Sequence, residues 1–407
     1  MRTLSLLAIV LLLLPTVFAH NATNSTQSAL VGWSSGSNNR GTLDLVWGCL
    51  STLFVCVWTV LHLDIPHVRL TKWKIFERKL AYMAATSFTP EYITATALSD
   101  YISAKHSVYA MKAIGHEHWE MVHAHYADMG GIRVVPENRQ PFFPTANDMY
   151  ILVKTDTMDL PHISKFEIED KSKADHLAKA IACFSAIWLT VQVVGRAVVH
   201  LPITAMELVT VAFVACTLIS YGLWWYKPLD ITFPTTVPIG EISEDVWSQF
   251  EIIRDEEDKP SWLNKYLSER LGEKLGRKIS RPFFCFTVWA DVVDSARSIY
   301  LALCLVGVFF GAIHCIAWDF SFPSPRERLL WRIFSITAAG IPGAFYVIGI
   351  YCRAVHDTHV PDTIYFPFFV VYFVARMYLW FETFASLKSV PKGVYDSIGW
   401  MNYVPHF

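Results

Sequence analysis

The chain has 407 residues, of which 53% are apolar and 17% charged, and its formal net charge is −2. Soluble domains contain about 25% charged residues, so the composition favours a membrane protein that also has sizeable aqueous parts. Nucleic-acid-binding domains usually carry a clustered excess of Lys and Arg, and the near-neutral charge balance argues against a nucleic-acid partner.

The N-terminal region has the features of a secreted or membrane-targeted chain. Residues 1–19 have a basic start, an apolar run and a small-residue cleavage site, which together predict a signal peptide. An uncleaved first anchor is the alternative, although the apolar run is shorter than a full membrane span. Glycosylation sequons follow at Asn21 and Asn24 within the segment 20–42. We therefore predict an extracytosolic N-terminus.

Six stretches of mostly apolar residues match the roughly 20 residues that a helix needs to cross a bilayer. They comprise residues 43–62, 178–198, 206–226, 297–318, 332–353 and 365–387. The sequence therefore predicts an all-α fold, a polytopic bundle of transmembrane helices. In chain order we expect a first membrane region (43–100), a helix hairpin (178–226), three further membrane helices (297–387) and a C-terminal tail (388–407).

Residues 80–100 decide between six and seven spans. Hydropathy favours six, because Pro90 and Glu91 interrupt this threonine-rich stretch. Lys and Arg are enriched in cytosolic loops, and this rule favours seven. If residues 80–100 cross the membrane, 11 Lys and Arg residues of the short segments lie in the cytosol and 2 lie outside. If they do not cross, 6 lie in the cytosol and 7 outside. We predict seven spans with a cytosolic C-terminus and keep six as the alternative.

Two long polar segments, residues 101–177 and 227–296, separate the apolar stretches. Both would be extracytosolic with seven spans and cytosolic with six, and their lack of sequons favours the cytosol. Within the second segment, residues 259–281 are basic and carry a leucine every four residues, a spacing typical of an amphipathic helix. This helix would bind anionic lipid or pack against the preceding acidic residues. A solvated helix that covers the ends of the spans is the alternative.

A group of histidines in the first polar segment is the strongest candidate for chemistry. On a helix, His116, Glu120 and His123 would share one face, and Glu-x-x-His spacing occurs in carboxylate-bridged metal sites. Such side chains could hold zinc, iron or manganese and activate a water molecule. No second Glu-x-x-His element accompanies them, and a helix with surface histidines that ends at Gly130–Gly131 is the alternative. We therefore expect no cofactor, with a divalent metal as the alternative.

Ionisable residues in or beside the apolar stretches are the second set of candidates. Charges at such depth are costly, so they usually face a partner or an aqueous cavity. Arg376 lies near the middle of the last stretch, with Glu382 six residues later, and we predict a buried pair that includes Arg376. The remaining members of this set are Glu207, Arg297 and His314.

Several blocks of the sequence resemble a large group of fungal multispan integral membrane proteins. The blocks are RGTLDLVWGCLSTLFVCVWTVLHLDIP, DKSKADHLAKA, HLPITAMELVTVAF, YGLWWYKPLD, GAIHCIAWDFSFP, RLLWR, ARMYLWFETFASLKSVPKGVY and the final VPHF. That group has no assigned biochemical activity. The resemblance therefore implies a fungal source and a shared architecture, and it supplies no catalytic residues.

Three classes of function remain compatible with the sequence. We expect a non-enzymatic membrane protein, receptor-like or a scaffold, in the secretory pathway or plasma membrane, with the lipid bilayer as its first partner. A transporter or channel is one alternative; it would use Arg376, Glu382 and a helix break at Pro342, because broken helices are common in transporters. A membrane-bound metal-dependent enzyme that uses the histidine group is the other.

Overall fold

The computed structural model describes residues 30–35, 40–66, 70–172, 176–248, 297–356 and 362–398. The helices of these ranges are α1 (Thr42–Val60), α2 (Lys72–Phe88), α3 (Pro90–Ala113), α4 (Met121–Asp128), α5 (Ala146–Lys154), α6 (Lys165–Lys171), α7 (His176–Val198), α8 (Ala205–Leu223), α9 (Arg297–His314), α10 (Pro325–His356) and α11 (Asp362–Ala385). The strands are β1 (Leu30–Val31), β2 (Ile132–Pro136), β3 (Thr235–Ile239) and β4 (Val390–Pro391). The signal segment, Asn21, Asn24 and the basic stretch 259–281 lie outside the described residues.

Five of these helices are long and apolar enough to cross a membrane. They are α1, α7 from Lys179, α8, α10 up to Cys352, and α11 from Phe366, whose apolar stretch extends to Lys388. Cys304–Asp319 forms a shorter apolar helix. The predicted all-α class is confirmed, and the strands are short additions to the helices.

Helix α8 forms the centre of the bundle. In its most apolar window 72% of the residues are buried, against 28–39% in the other four long apolar helices. Phe213 and Phe310 meet edge to face in the core between α8 and α9. The outer helices expose large apolar side chains such as Trp47, Phe184 and Phe381, as expected for helices surrounded by lipid.

The two ends of the described chain meet at one end of the bundle. Strands β1 and β4 pair antiparallel, with Leu30 opposite Pro391. The Tyr395 hydroxyl donates to the carbonyl of Gly32, at 2.9 Å. Seven helices that each traverse the whole bundle would place these segments at opposite ends. The described helices are therefore not arranged as seven helices that each traverse the bundle.

Residues 80–100 account for the difference, because they fold as two helices that turn back inside the bundle. Thr89 is not helical, and Pro90 lacks the N–H that would continue α2. At the turn, the Phe88 carbonyl accepts a hydrogen bond from Arg376, midway along α11. Further along α3, Asp100 accepts one from the indole of Trp224, at the end of α8. The hairpin α2–α3 thus enters to about the middle of the bundle and leaves at the end where it entered.

The described parts of the two long polar segments fold together as one unit, which we call the polar domain: the second half of α3, α4, β2, α5, α6 and β3. Strands β2 and β3 pair in parallel, with Ile132 opposite Thr235. Tyr126 and Met149 from the first segment share a hydrophobic core with Ile231 from the second. The polar domain lies at the end of the bundle opposite the β1–β4 pair, because α3 and the end of α8 both lead into it.

Candidate functional site

The tip of the hairpin and α11 form a buried polar site in the middle of the bundle. Arg376 and Glu91 are 3% and 2% exposed, and Arg376 Nη2 lies 3.8 Å from Glu91 Oε2. Arg376 Nε donates to the Phe88 carbonyl at 3.0 Å, and the Tyr372 hydroxyl donates to the Glu91 carboxylate. The guanidinium also lies 4.3 Å from the centre of the Phe310 ring. Because the pair is enclosed, each charge depends on the other for compensation.

The structure does not bring Glu382 to Arg376. Six residues correspond to about 9 Å along a helix axis, so the two side chains occupy different levels of α11. Glu382 is 1% exposed, and its Oε2 accepts a hydrogen bond from the Tyr378 hydroxyl at 3.2 Å. That hydroxyl also lies 3.4 Å from the backbone carbonyl of Glu327 on α10. Glu382 therefore belongs to a separate contact between α10 and α11.

Glu207 holds together the end of the bundle that carries the β1–β4 pair. Its carboxylate lies 2.7 Å from Arg40 and 4.0 Å from Arg196, and it accepts hydrogen bonds from the N–H and hydroxyl of Thr204. Burial disfavours the charged form of Arg40, but the Glu207 carboxylate outweighs burial and raises the pKa of the guanidinium. Arg196 in turn donates to the carbonyls of Pro202, Gly393, Val394 and Asp396. The cluster joins α7, α8 and both ends of the described chain.

The remaining candidates in the apolar helices lie at the ends of α9. His314 is 2% exposed, its Nδ1 lies 2.9 Å from the Phe310 carbonyl, and its ring packs beside Trp331. Trp331 donates its indole N–H to the His314 carbonyl at 3.1 Å. Arg297 is the first residue of α9, and its side chain is outside the described part of the structure. His314 thus forms part of the contact between α9 and α10.

Pro342 does not break a helix, and that expectation was wrong. Helix α10 continues through Pro342 from Pro325 to His356. It packs closely on α9, where a Cβ added to Gly311 would lie 2.5 Å from backbone atoms of Ala339. The helix interruption inside the bundle lies instead at Thr89, between α2 and α3.

The histidine group does not share a helical face. His116 lies in the turn after α3, and α4 begins only at Met121, with Glu120 at its N-cap. His123 uses both ring nitrogens: Nδ1 accepts the Glu120 N–H at 3.1 Å, and Nε2 lies 3.0 Å from the Ile163 carbonyl.

Two further observations describe the surroundings of this group. Burial lowers the pKa of His123, and within the described ranges no three His, Cys, Asp or Glu side chains are placed to hold a metal. The predicted helix end at Gly130–Gly131 is confirmed, since α4 ends at Asp128 and Gly130 has a φ of 81°.

A buried polar junction joins the bundle to the polar domain, and sequence reasoning missed it. Lys227 lies 2.8 Å from Asp100 and 3.3 Å from Asp64, and Trp224 donates its indole N–H to Asp100 at 3.0 Å. These residues come from α3, the segment after α1 and the segment after α8. No local pattern could have revealed the junction, because its members are distant in sequence.

His125 of α4 lies beside this junction. It is fully buried, and neither ring nitrogen has a hydrogen-bond partner among the residues that the structure describes. Burial is the main cause that lowers its pKa to about 4; the Asp100 carboxylate acts in the opposite direction and Lys227 in the same one. His125 is therefore neutral at physiological pH.

This geometry defines an all-α protein. Its long apolar helices pack around α8, and a folded polar domain lies at one end of the bundle. The chain belongs to a family of unknown function, DUF8562, whose model matches residues 6–254. The match includes the hairpin, the polar domain as described, Glu91 and Lys227, whereas Arg376 lies beyond it. No curated protein matched the chain. No solved structure matched it either.

Proposed function

We propose that this chain is a multi-pass integral membrane protein that holds a folded domain against one face of the membrane. Its role in this proposal is non-enzymatic, as a scaffold or a receptor-like protein of the secretory pathway or plasma membrane. The ionisable residues predicted as candidate sites support this view. Of these, Arg376, Glu207 and His314 contact other helices or segments and so help to fix which of them pack together.

Helix α3 carries the proposal, because its first half packs in the bundle and its second half packs in the polar domain. Its first turn places Glu91 beside Arg376 in the bundle. Its second half buries Met111 in the polar domain, and the Ser107 hydroxyl there donates to the Ala146 carbonyl at 3.1 Å. One continuous helix thus links the middle of the bundle to the polar domain, so a partner bound to the domain would act directly on the bundle.

The proposed arrangement has six crossing helices, α1 and α7–α11, together with a re-entrant hairpin α2–α3. Exposed apolar side chains on the outer helices and paired charges inside the bundle support it. We place the polar domain in the cytosol, because it lacks sequons and because the basic first half of α2 lies at its end of the bundle. The β1–β4 pair then lies on the opposite side of the membrane.

A transporter or channel is the second candidate, and the hairpin favours it. Helices that end inside the membrane beside charged residues form the binding sites of many transporters. Here α2 ends and α3 begins beside Arg376. Ion flux into sealed proteoliposomes that is abolished by Glu91→Gln would favour transport over a scaffold role.

Glycosylation mapping in eukaryotic microsomes tests the proposed arrangement. Acceptor sites would be placed singly at Tyr109 (78% exposed), at Asp245 and after the C-terminus, in a chain whose Asn21 and Asn24 are replaced by Gln. We expect modification only at the C-terminal site. Modification at Tyr109 or Asp245 would overturn the cytosolic placement of the polar domain, and an unmodified C-terminus would overturn the six-span arrangement.

A further inference from the structure

The first half of α2 lies on the outside of the bundle and carries large exposed apolar side chains. Trp73 and Phe76 are 74% and 45% exposed. They continue a row of rings that starts on α1: the centres of Phe54 and Trp58 are 6.0 Å apart, those of Trp58 and Phe76 5.9 Å, and those of Phe76 and Trp73 6.0 Å. We call these four residues the aromatic strip.

Basic side chains accompany the aromatic strip. Lys72, Lys74 and Arg78, which we call the basic edge, have no carboxylate partner within the part of the chain that the structure describes. Lys79 differs, because it lies 2.8 Å from Asp230 and 4.7 Å from the centre of the Trp58 ring. Glu77 lies on the same stretch of α2, so residues 72–78 keep a formal net charge of +2.

The position of these residues indicates what covers them. Phe54 lies on the outer face of α1, among the exposed apolar side chains of the bundle, and Trp58 is close to the end of that helix. The strip thus runs from the apolar belt to the end of the bundle where the polar domain lies. In membrane proteins, aromatic rings are enriched at the membrane–water interface, where acyl chains meet headgroups, and basic side chains are enriched on its cytosolic side. A water-soluble acidic protein would match the charge but would leave Phe54 uncovered.

We propose that the aromatic strip and the basic edge together bind anionic phospholipid, with the rings against acyl chains and the basic edge at the headgroup. The site lies in the leaflet that faces the polar domain, and the inference rests on the proposed membrane placement. Cytoplasmic leaflets are rich in anionic lipid, and each basic residue near such a surface strengthens binding about fivefold. Screening by salt weakens this attraction.

Photo-crosslinking with lipid probes tests the site. Full-length protein would be reconstituted into phosphatidylcholine nanodiscs that contain a trace of phosphatidylserine or phosphatidylcholine with a photoreactive acyl chain, and adducts would be mapped by mass spectrometry. The outer face of α10 at Val347 and Tyr351, 65% and 59% exposed, serves as an internal reference. We expect the ratio of phosphatidylserine adducts to phosphatidylcholine adducts to be at least fivefold higher on α2 than on α10.

A triple variant separates headgroup recognition from simple contact with lipid. In Lys72→Gln, Lys74→Gln, Arg78→Gln the ratio on α2 should fall to that on α10. The matched control, Lys105→Gln, Lys112→Gln, Lys154→Gln in the polar domain, removes the same charge and should leave the ratio unchanged. An equal ratio on both helices of the wild type, or an unchanged ratio in the α2 variant, would overturn the inference. Absence of adducts on every helix would instead contradict the membrane placement itself.

Discussion

Three of the ion pairs inside the protein join parts of the chain that are far apart in sequence. Arg376 meets Glu91, Glu207 meets Arg40, and Lys227 meets Asp100. A buried pair offers little net stability relative to apolar residues, but removal of one partner leaves an uncompensated charge. These pairs therefore specify which helices lie together.

The pair in the middle of the bundle gives a prediction at the scale of residues. Glu91→Gln should lower the free energy of unfolding by about 3 kcal/mol, because the Arg376 guanidinium would remain buried without a counter-charge. The double variant Glu91→Gln, Arg376→Met should recover most of this loss. Unfolding of the detergent-solubilised protein, followed by intrinsic fluorescence, measures both effects.

The control for this prediction is Glu382→Gln, which makes the same chemical change on another buried carboxylate. Glu382 accepts from the neutral hydroxyl of Tyr378, and an amide oxygen can also accept that bond. Glu382→Gln should therefore lower the free energy of unfolding by less than about 1 kcal/mol. If the two single changes Glu91→Gln and Arg376→Met had independent, additive costs, the pair would not be coupled.

Sequence reasoning identified Arg376 through its depth in an apolar run, since such a position requires compensation. It could not identify the partner, because Glu91 lies in a different helix and no local pattern links the two. The histidine group does not share one helical face, and the reason is local. Gly115 has a φ of 93° in the turn after α3, so His116 precedes the helix that contains His123.

At the scale of elements, close approach of two backbones determines how α9 packs on α10. Gly311 faces Ala338 and Ala339, and the space there excludes any side chain. Small residues let helices in membranes approach closely, because packing replaces the hydrophobic effect as the driving force. The position of Pro342 in the same region of α10 is tolerated within a continuous helix.

Substitution of this glycine gives a prediction for the helix pair. Gly311→Ala should lower the thermal unfolding temperature by several degrees, because its Cβ would force α9 away from α10. Gly340→Ala is the matched control, since a Cβ at Gly340 meets no atom within 4 Å. That change should be neutral or stabilising by up to about 1 kcal/mol through helix propensity. An equal effect of the two substitutions, measured by differential scanning fluorimetry, would contradict the close contact.

At the scale of the whole molecule, the hairpin determines at which end of the bundle each segment lies. Because α2 and α3 turn back at Thr89, α3 leaves the bundle at the end where α2 enters, and the two ends of the described chain meet as β1 and β4. The same turn sends α3 into the polar domain, where the described parts of both long polar segments share one core.

Disulfide crosslinking tests this arrangement. Val31 and Val390 are partners across the antiparallel β1–β4 pair, so Val31→Cys, Val390→Cys should crosslink on mild oxidation. After cleavage of the chain between residues 31 and 390, a crosslink would keep the two fragments joined. Gel electrophoresis would then show one band in place of two. The pair Val31→Cys, Tyr109→Cys is the control and should remain uncrosslinked, because Tyr109 lies in the polar domain. Crosslinking of the control but not of the test pair would contradict the β1–β4 contact and place Val31 beside the polar domain.

The sequence by itself determined the helical class, the positions of the long apolar helices and the depth of Arg376. These properties follow from composition and local hydropathy, which act over single helices. Only the tertiary structure decided that residues 80–100 turn back, that the described parts of the polar segments form one domain, and that Glu91 pairs with Arg376. The physical reason is that these outcomes depend on contacts between distant segments, whose energies appear only when the helices pack together.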